Sequence, residues 1–140
     1  MTVTFKVTVK SKKSLMSKSL LILGDLVAIA ILTVIGFASH GETDASYLPR
    51  MAATFVPMAV SWFLLAPALG LFEAERVRST RQLWRPAWGA FFASQLAVIL
   101  RGLWLNAPVL PLFGLILGAT SALGMVVWRG IWIWLEHRKK

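Results

Sequence analysis

The residues best suited to chemistry in this chain are charged side chains that interrupt long apolar segments. Asp25 lies inside the apolar run 20–38, and Arg101 and Arg129 lie inside two later apolar runs. A charged side chain in the middle of a bilayer costs at least about 2.5 kcal/mol unless it meets a partner or water. We therefore expect these charges to face other helices or a polar cavity, and ion pairing is the first chemistry to consider.

A second candidate is the short motif Ser39-His40-Gly41-Glu42, which directly follows the first apolar run. His40 can accept a proton or bind a metal near neutral pH. The same four residues also suit a tight turn, because Gly41 tolerates a positive φ. One histidine beside one carboxylate supplies too few ligands for a metal site. The chain also has no glycine-rich phosphate loop and no nucleophile elbow, so we expect no catalytic residues, no metal and no cofactor.

The composition is typical of a membrane protein and not of a soluble domain. Of 140 residues, 57% are hydrophobic and only 15% are charged. The chain contains no cysteine, which excludes disulfide frameworks, thiolate metal sites and oxidoreductases that work through cysteine pairs. The net charge is +9, and the basic residues cluster at 6–18, 76–85 and 138–140, outside the apolar runs, as on the cytoplasmic surfaces of a multi-span protein. We therefore expect contact with the lipid bilayer and no nucleic-acid binding.

Four apolar segments are long enough to cross a bilayer, since about 20 helical residues cover about 30 Å. They lie near 20–38, 51–72, 87–106 and 111–135. The sequence thus predicts an all-α fold, a four-helix transmembrane bundle over 20–135. A basic flexible tail at 1–19 and a basic tail at 136–140 flank it. Pro57 and Pro67 predict a kink or break in the second span.

The distribution of basic residues predicts the orientation of the bundle. The N-terminus, the second connection and the C-terminus are rich in lysine or arginine, whereas the first and third connections carry one arginine between them. By the positive-inside rule, both termini lie in the cytoplasm. A cleaved signal peptide is the competing interpretation of the first run. That run is longer than the apolar core of a signal peptide and contains Asp25, so we interpret it as a span.

Each intramembrane charge shares its helix face with small residues, which is typical of helix–helix contacts in membranes. The predicted faces are Ala28, Leu32, Gly36 and Ser39 with Asp25, Ala87, Ala90, Ser94 and Ala97 with Arg101, and Gly114, Gly118, Ser121, Ala122 and Met125 with Arg129. In each helix the charge lies on the face richest in small residues. The charge should therefore face the bundle interior. An alternative stays open: Arg129 snorkels to the headgroups, inside an aromatic belt of Trp128, Trp132 and Trp134.

Depth along the helices decides which charges can meet. At 1.5 Å per residue, Asp25 lies about 8 Å and Arg129 about 9 Å from the cytoplasmic ends of their spans. Arg101 lies about 21 Å along an outward-running span, in the outer half. The sequence therefore predicts an inner Asp25–Arg129 ion pair and a separate outer cluster of Arg101 with His40 and Glu42.

Several short motifs occur in the same order in this chain as in a known family. They are Gly24-Asp25, Gly36-x-x-Ser39-His40-Gly41-Glu42, Pro57, Trp62, Leu100-Arg101, Pro111-x-Phe113 and Trp128-Arg129. Over roughly residues 20–132 the chain resembles the uncharacterised membrane family labelled domain of unknown function 3054, small bacterial and archaeal proteins with about four spans. The resemblance implies a prokaryotic plasma membrane and charged positions that belong to a shared pattern. It implies no activity.

Two functions fit these expectations. The first is a non-enzymatic structural or accessory membrane component that forms a homo-oligomer or joins a larger complex. The second is a small transporter or proton-coupled permease in which Asp25, Arg101 and Arg129 line a polar path. Four spans make a thin wall around such a path, so transport would require an oligomer. A membrane enzyme ranks third, and the sequence favours the first function.

Overall fold

The computed structural model describes residues 2–42, 44–73 and 79–138, with side chains from residue 18 onward within those ranges. Four long helices make up the fold: α1 (Thr2–Ser39), α2 (Leu48–Leu65), α3 (Trp84–Leu105) and α4 (Pro111–Arg138). Short 3-10 helices at Ala45–Tyr47 and Thr80–Gln82 lead into α2 and α3. All four long helices are apolar enough to cross a membrane. The predicted all-α fold with four spanning helices is confirmed.

The helices form a closed ring in which each packs against its neighbours in the chain and α1 packs against α4. The close packing of α3 and α4 rests on small side chains, which let helix backbones approach each other. The buried residues on these two helices include Ala90, Ala93, Ser94, Ala97, Gly114, Gly118, Ser121 and Met125. This is the face that the sequence predicted for each helix.

The buried face of α1 is narrower and partly different from the predicted one. Leu21, Asp25 and Ile29 are buried at a spacing of four residues, whereas Gly36 and Ser39 are exposed. Spacing of four keeps side chains on one side of a helix over a few turns. α1 therefore meets the bundle along one stripe, and Asp25 lies at its centre.

The first helix begins at Thr2, not at residue 20. The segment predicted as a flexible tail thus continues the backbone of α1. No glycine or proline precedes Gly24 in the sequence, so no residue there strongly opposes the helical conformation.

The second helix ends at Leu65, earlier than the predicted residue 72. Proline has no backbone N–H and clashes with the preceding turn, and Pro67 therefore ends the helix. The helix continues through Pro57, which is buried. Beyond Pro67 the chain turns through Gly70 at φ +70°, and the Leu71 amide donates to the Ala66 carbonyl over 3.0 Å. This turn carries Leu71 back toward α4.

Candidate functional site

The inner polar site is built around the carboxylate of Asp25, whose side chain is fully buried. Arg129 donates to it twice, from Nε to Oδ1 over 3.1 Å and from Nη2 to Oδ2 over 2.8 Å. The indole Nε1 of Trp62 donates to Oδ2 over 3.0 Å, and that of Trp128 donates to Oδ1 over 2.8 Å. A carboxylate has about four acceptor positions. The protein therefore fills all of them.

The side chain of Arg129 is almost as fully buried as that of Asp25, with 3% of it exposed. Its Nη1 donates to the backbone carbonyl of Leu71 over 2.7 Å. Its Cζ lies 5.9 Å from the Trp62 ring centroid and 5.6 Å from that of Phe72. Arg129 thus points into the bundle and does not snorkel to the headgroups. The alternative interpretation of this residue is wrong.

The inner site connects three helices and the turn after α2. Asp25 comes from α1, Trp62 from α2, and Trp128 and Arg129 from adjacent positions on α4. Two parallel N–H donors to one carboxylate are the strongest and most directional form of ion pair. Burial of two charges is costly, and only such geometry with further hydrogen bonds offsets it. The site therefore fixes how α1 sits against α2 and α4.

The outer polar site differs from the predicted cluster. Arg101 donates from Nε to Thr54 Oγ1 over 3.0 Å, and its Cζ lies 5.1 Å from the Phe113 ring centroid. His40 is exposed and Glu42 half-buried. Within the described ranges neither forms an ion pair or a side-chain hydrogen bond with Arg101. The predicted direct contacts of Arg101 with His40 and Glu42 are therefore wrong.

The segment from Ser39 to Glu42 forms a structural turn that ends α1. Ser39 Oγ donates to the Gly36 carbonyl over 2.7 Å, and the Glu42 amide donates to the Phe37 carbonyl over 2.9 Å. Gly41 has a φ of +72°, which suits glycine at a helix C-terminus. These local bonds fix the motif as the turn that ends α1. In the part of the chain that the structure describes, no group of three His, Asp or Glu residues could hold a metal ion.

Two cavities adjoin the inner site: the first is no larger than a water molecule, and the second is apolar. A pocket of about 10 Å³ lies beside Arg129 and Leu71, with room for about one water molecule. An apolar groove of about 720 Å³ runs between α1 and α4, past Gly24 and Trp128. Aliphatic side chains dominate its walls, and no charged residue lines it. The groove therefore offers mainly apolar contacts.

Several polar partners that connect the helices are not predicted by the sequence. By sequence, Trp128 fits an aromatic belt and Trp62 fits the family motif, and neither is predicted to bind Asp25. The signal that would have found both is the acceptor capacity of Asp25, because one arginine fills only part of it and buried indoles require acceptors. Thr54 and Gln95 carried no comparable signal. Gln95 Nε2 donates to the Gly114 carbonyl of α4 over 2.9 Å.

Comparison with known proteins identifies the family of this chain. The model of the family described as "Protein of unknown function (DUF3054)" matches residues 22–132, which include all four charged or aromatic members of the inner site. The chain therefore belongs to this family, and the resemblance found in the sequence is confirmed. No curated protein and no solved structure matches the chain.

Proposed function

We propose that this protein is a non-enzymatic structural or accessory component of a prokaryotic plasma membrane, and that it acts by self-association or within a larger membrane complex. The observation that carries the proposal is the complete internal bonding of Asp25. A carboxylate that relays protons or binds a substrate must exchange hydrogen-bond partners during each transport cycle. Here four N–H donors from two tryptophans and one arginine occupy the carboxylate. This arrangement suits a permanent contact between helices.

The competing function is transport, and flux measurements separate it from the proposal. We expect proteoliposomes of the purified protein to show no proton or ion flux above that of empty liposomes. We expect Asp25→Asn to lower the yield of folded protein, because the replacement breaks the inner site. Glu136→Gln is the control, since this half-buried residue also loses a carboxylate but lies outside the inner site. Wild-type flux that disappears in folded Asp25→Asn protein and persists in Glu136→Gln would support transport instead.

A mass measurement tests whether the protein forms an assembly. Protein purified gently from its native membrane should have a mass larger than one 15.5 kDa chain, from further copies or other subunits. A uniform single chain in every mild detergent would contradict the complex-forming role.

The proposal also places both termini in the cytoplasm, as the basic residues favour. The chain has no cysteine, so single cysteines can report the side on which each connection lies. Ser46 and Thr80 are both exposed and precede α2 and α3, respectively. In intact cells, a membrane-impermeant thiol reagent should label Ser46→Cys, whereas Thr80→Cys should react only after permeabilisation. The reverse pattern would invert the topology.

A further inference from the structure

Arg101 has unused hydrogen-bond donors at the end of the bundle opposite the Asp25–Arg129 pair. Its Nε is bound to Thr54 Oγ1. Its Nη1 and Nη2 groups make no hydrogen bond or ion pair with any other described residue. Arg101 is half-buried within a membrane-spanning helix. A cation in this position is costly unless an anion or water compensates it.

The protein holds the guanidinium of Arg101 in a defined orientation. Thr54 is 6% exposed, and its Oγ1 donates to the Arg50 carbonyl over 3.0 Å while accepting from Arg101. The Phe113 ring lies 5.1 Å from the Arg101 Cζ. Because Nε is bound to Thr54, Nη1 and Nη2 remain as a pair of parallel donors along one edge of the guanidinium. Such a fork matches the two oxygens of a phosphate or carboxylate.

A second arginine raises the positive charge around this edge. Arg50 lies one helical turn before Thr54 on α2, is exposed, and acts electrostatically on Arg101. Glu42 is the opposing charge within range. Two guanidinium groups are thus balanced by one carboxylate, which leaves an excess of positive charge. Arg101 also lies only about 6 Å from the end of α3, at a rise of 1.5 Å per residue, which is close to the level of lipid headgroups.

We propose that Arg101, assisted by Arg50, binds a phosphate-type oxyanion at this end of the bundle. Nη1 and Nη2 of Arg101 donate to two of its oxygens, and Arg50 contributes charge from the exposed side. The oxyanion belongs either to the headgroup of a phospholipid or to a soluble phosphate. The site is separate from the inner ion pair and does not depend on the accessory role proposed above.

Native mass spectrometry and thermal unfolding of the full chain in a neutral detergent test the proposal. Three probes are added separately: phosphatidylglycerol, diacylglycerol without a phosphate, and sodium phosphate exchanged for chloride at constant ionic strength. We expect retention of phosphatidylglycerol and not of diacylglycerol if the source is a lipid. A rise in unfolding temperature with sodium phosphate alone indicates a soluble oxyanion. A chain that responds to neither phosphate probe overturns the proposal.

Variants of the two arginines connect the binding to the site. Arg101→Gln should weaken the binding of the effective probe by at least about tenfold, because charge-assisted hydrogen bonds are lost. Arg101→Lys keeps the charge without the fork and should weaken it less. Arg50→Gln, at an exposed position, should weaken it by a smaller factor. Arg138→Gln is the matched control, an exposed arginine that stacks on Trp134 at the opposite end. Equal losses in Arg138→Gln and Arg101→Gln, or unchanged binding in Arg101→Gln and Arg50→Gln, would contradict the site.

Discussion

Replacement of Asp25 by asparagine should lower the free energy of unfolding by about 3–5 kcal/mol, since it leaves the buried charge of Arg129 without its counterion. The amide has the same shape, yet it has one acceptor oxygen in place of two. In either orientation its NH₂ group faces N–H donors of Trp62, Trp128 or Arg129. Unfolding by SDS titration in mixed micelles measures the change.

Two comparisons establish that the loss comes from the inner site. Glu136→Gln removes a carboxylate from the same end of the bundle, and we expect it to change stability by no more than about 0.5 kcal/mol. Arg129→Gln should destabilise the protein about as much as Asp25→Asn, because it leaves the carboxylate buried without its cation. An Asp25→Asn protein as stable as the Glu136→Gln control would show that the carboxylate does not hold the bundle together.

Replacement of Gly24 by alanine should destabilise the protein by about 2 kcal/mol or more, although alanine ordinarily stabilises a helix. A Cβ at Gly24 would overlap the Trp128 ring and lie 2.7 Å from its Cη2. The indole is rigid and is held by its hydrogen bond to Asp25. To admit the methyl group, either α1 must move away from α4 or Trp128 must leave the carboxylate. Both outcomes disturb the inner site.

Two other glycines provide matched controls for Gly24→Ala. Gly36 lies on the same helix, and a Cβ added there would have no neighbouring atom within 4 Å, so alanine at this position should stabilise α1 by about 0.5–1 kcal/mol. At Gly124 a Cβ would lie 2.5 Å from the Cδ2 of Leu32, the flexible end of a half-buried side chain that can move. We expect the same SDS titration to rank stability as Gly36→Ala, then Gly124→Ala, then Gly24→Ala. A Gly24→Ala protein as stable as wild type would contradict the close packing of α1 on Trp128.

The sequence predicted most of the fold because two physical signals repeat along it. Apolar length defined the four spans, and the small residues of α3 and α4 marked the buried faces. The predicted ends were less accurate where one residue acts through local geometry. Pro67 ends α2 at Leu65, and the absence of helix breakers before Gly24 lets α1 begin at Thr2. Hydropathy is insensitive to both effects.

In the candidate sites, the sequence predicted a side-chain contact correctly only where a buried charge required a partner of opposite sign. Depth and helical face brought Asp25 to Arg129, and the structure contains that ion pair. The same arithmetic failed for Arg101, because charge favoured His40 and Glu42 while the neutral hydroxyl of Thr54 lies within reach. Neutral partners leave no charge pattern in a sequence. The Leu71 carbonyl that binds Arg129 is a backbone atom brought there by a turn, so residue type gave no indication of it.

The central claim is that Asp25 and Arg129 act as one unit that holds the bundle together, and a double-mutant cycle tests it most directly. Unfolding free energies are measured for wild type, Asp25→Asn, Arg129→Gln and the double variant. Contacting residues in one hydrogen-bonded network couple by about 0.5–3 kcal/mol, and we expect a value at the upper end, so that the double variant loses about 3 kcal/mol less than the sum of the two single losses. Additive losses in the double variant, with a coupling energy near zero, would contradict the claim.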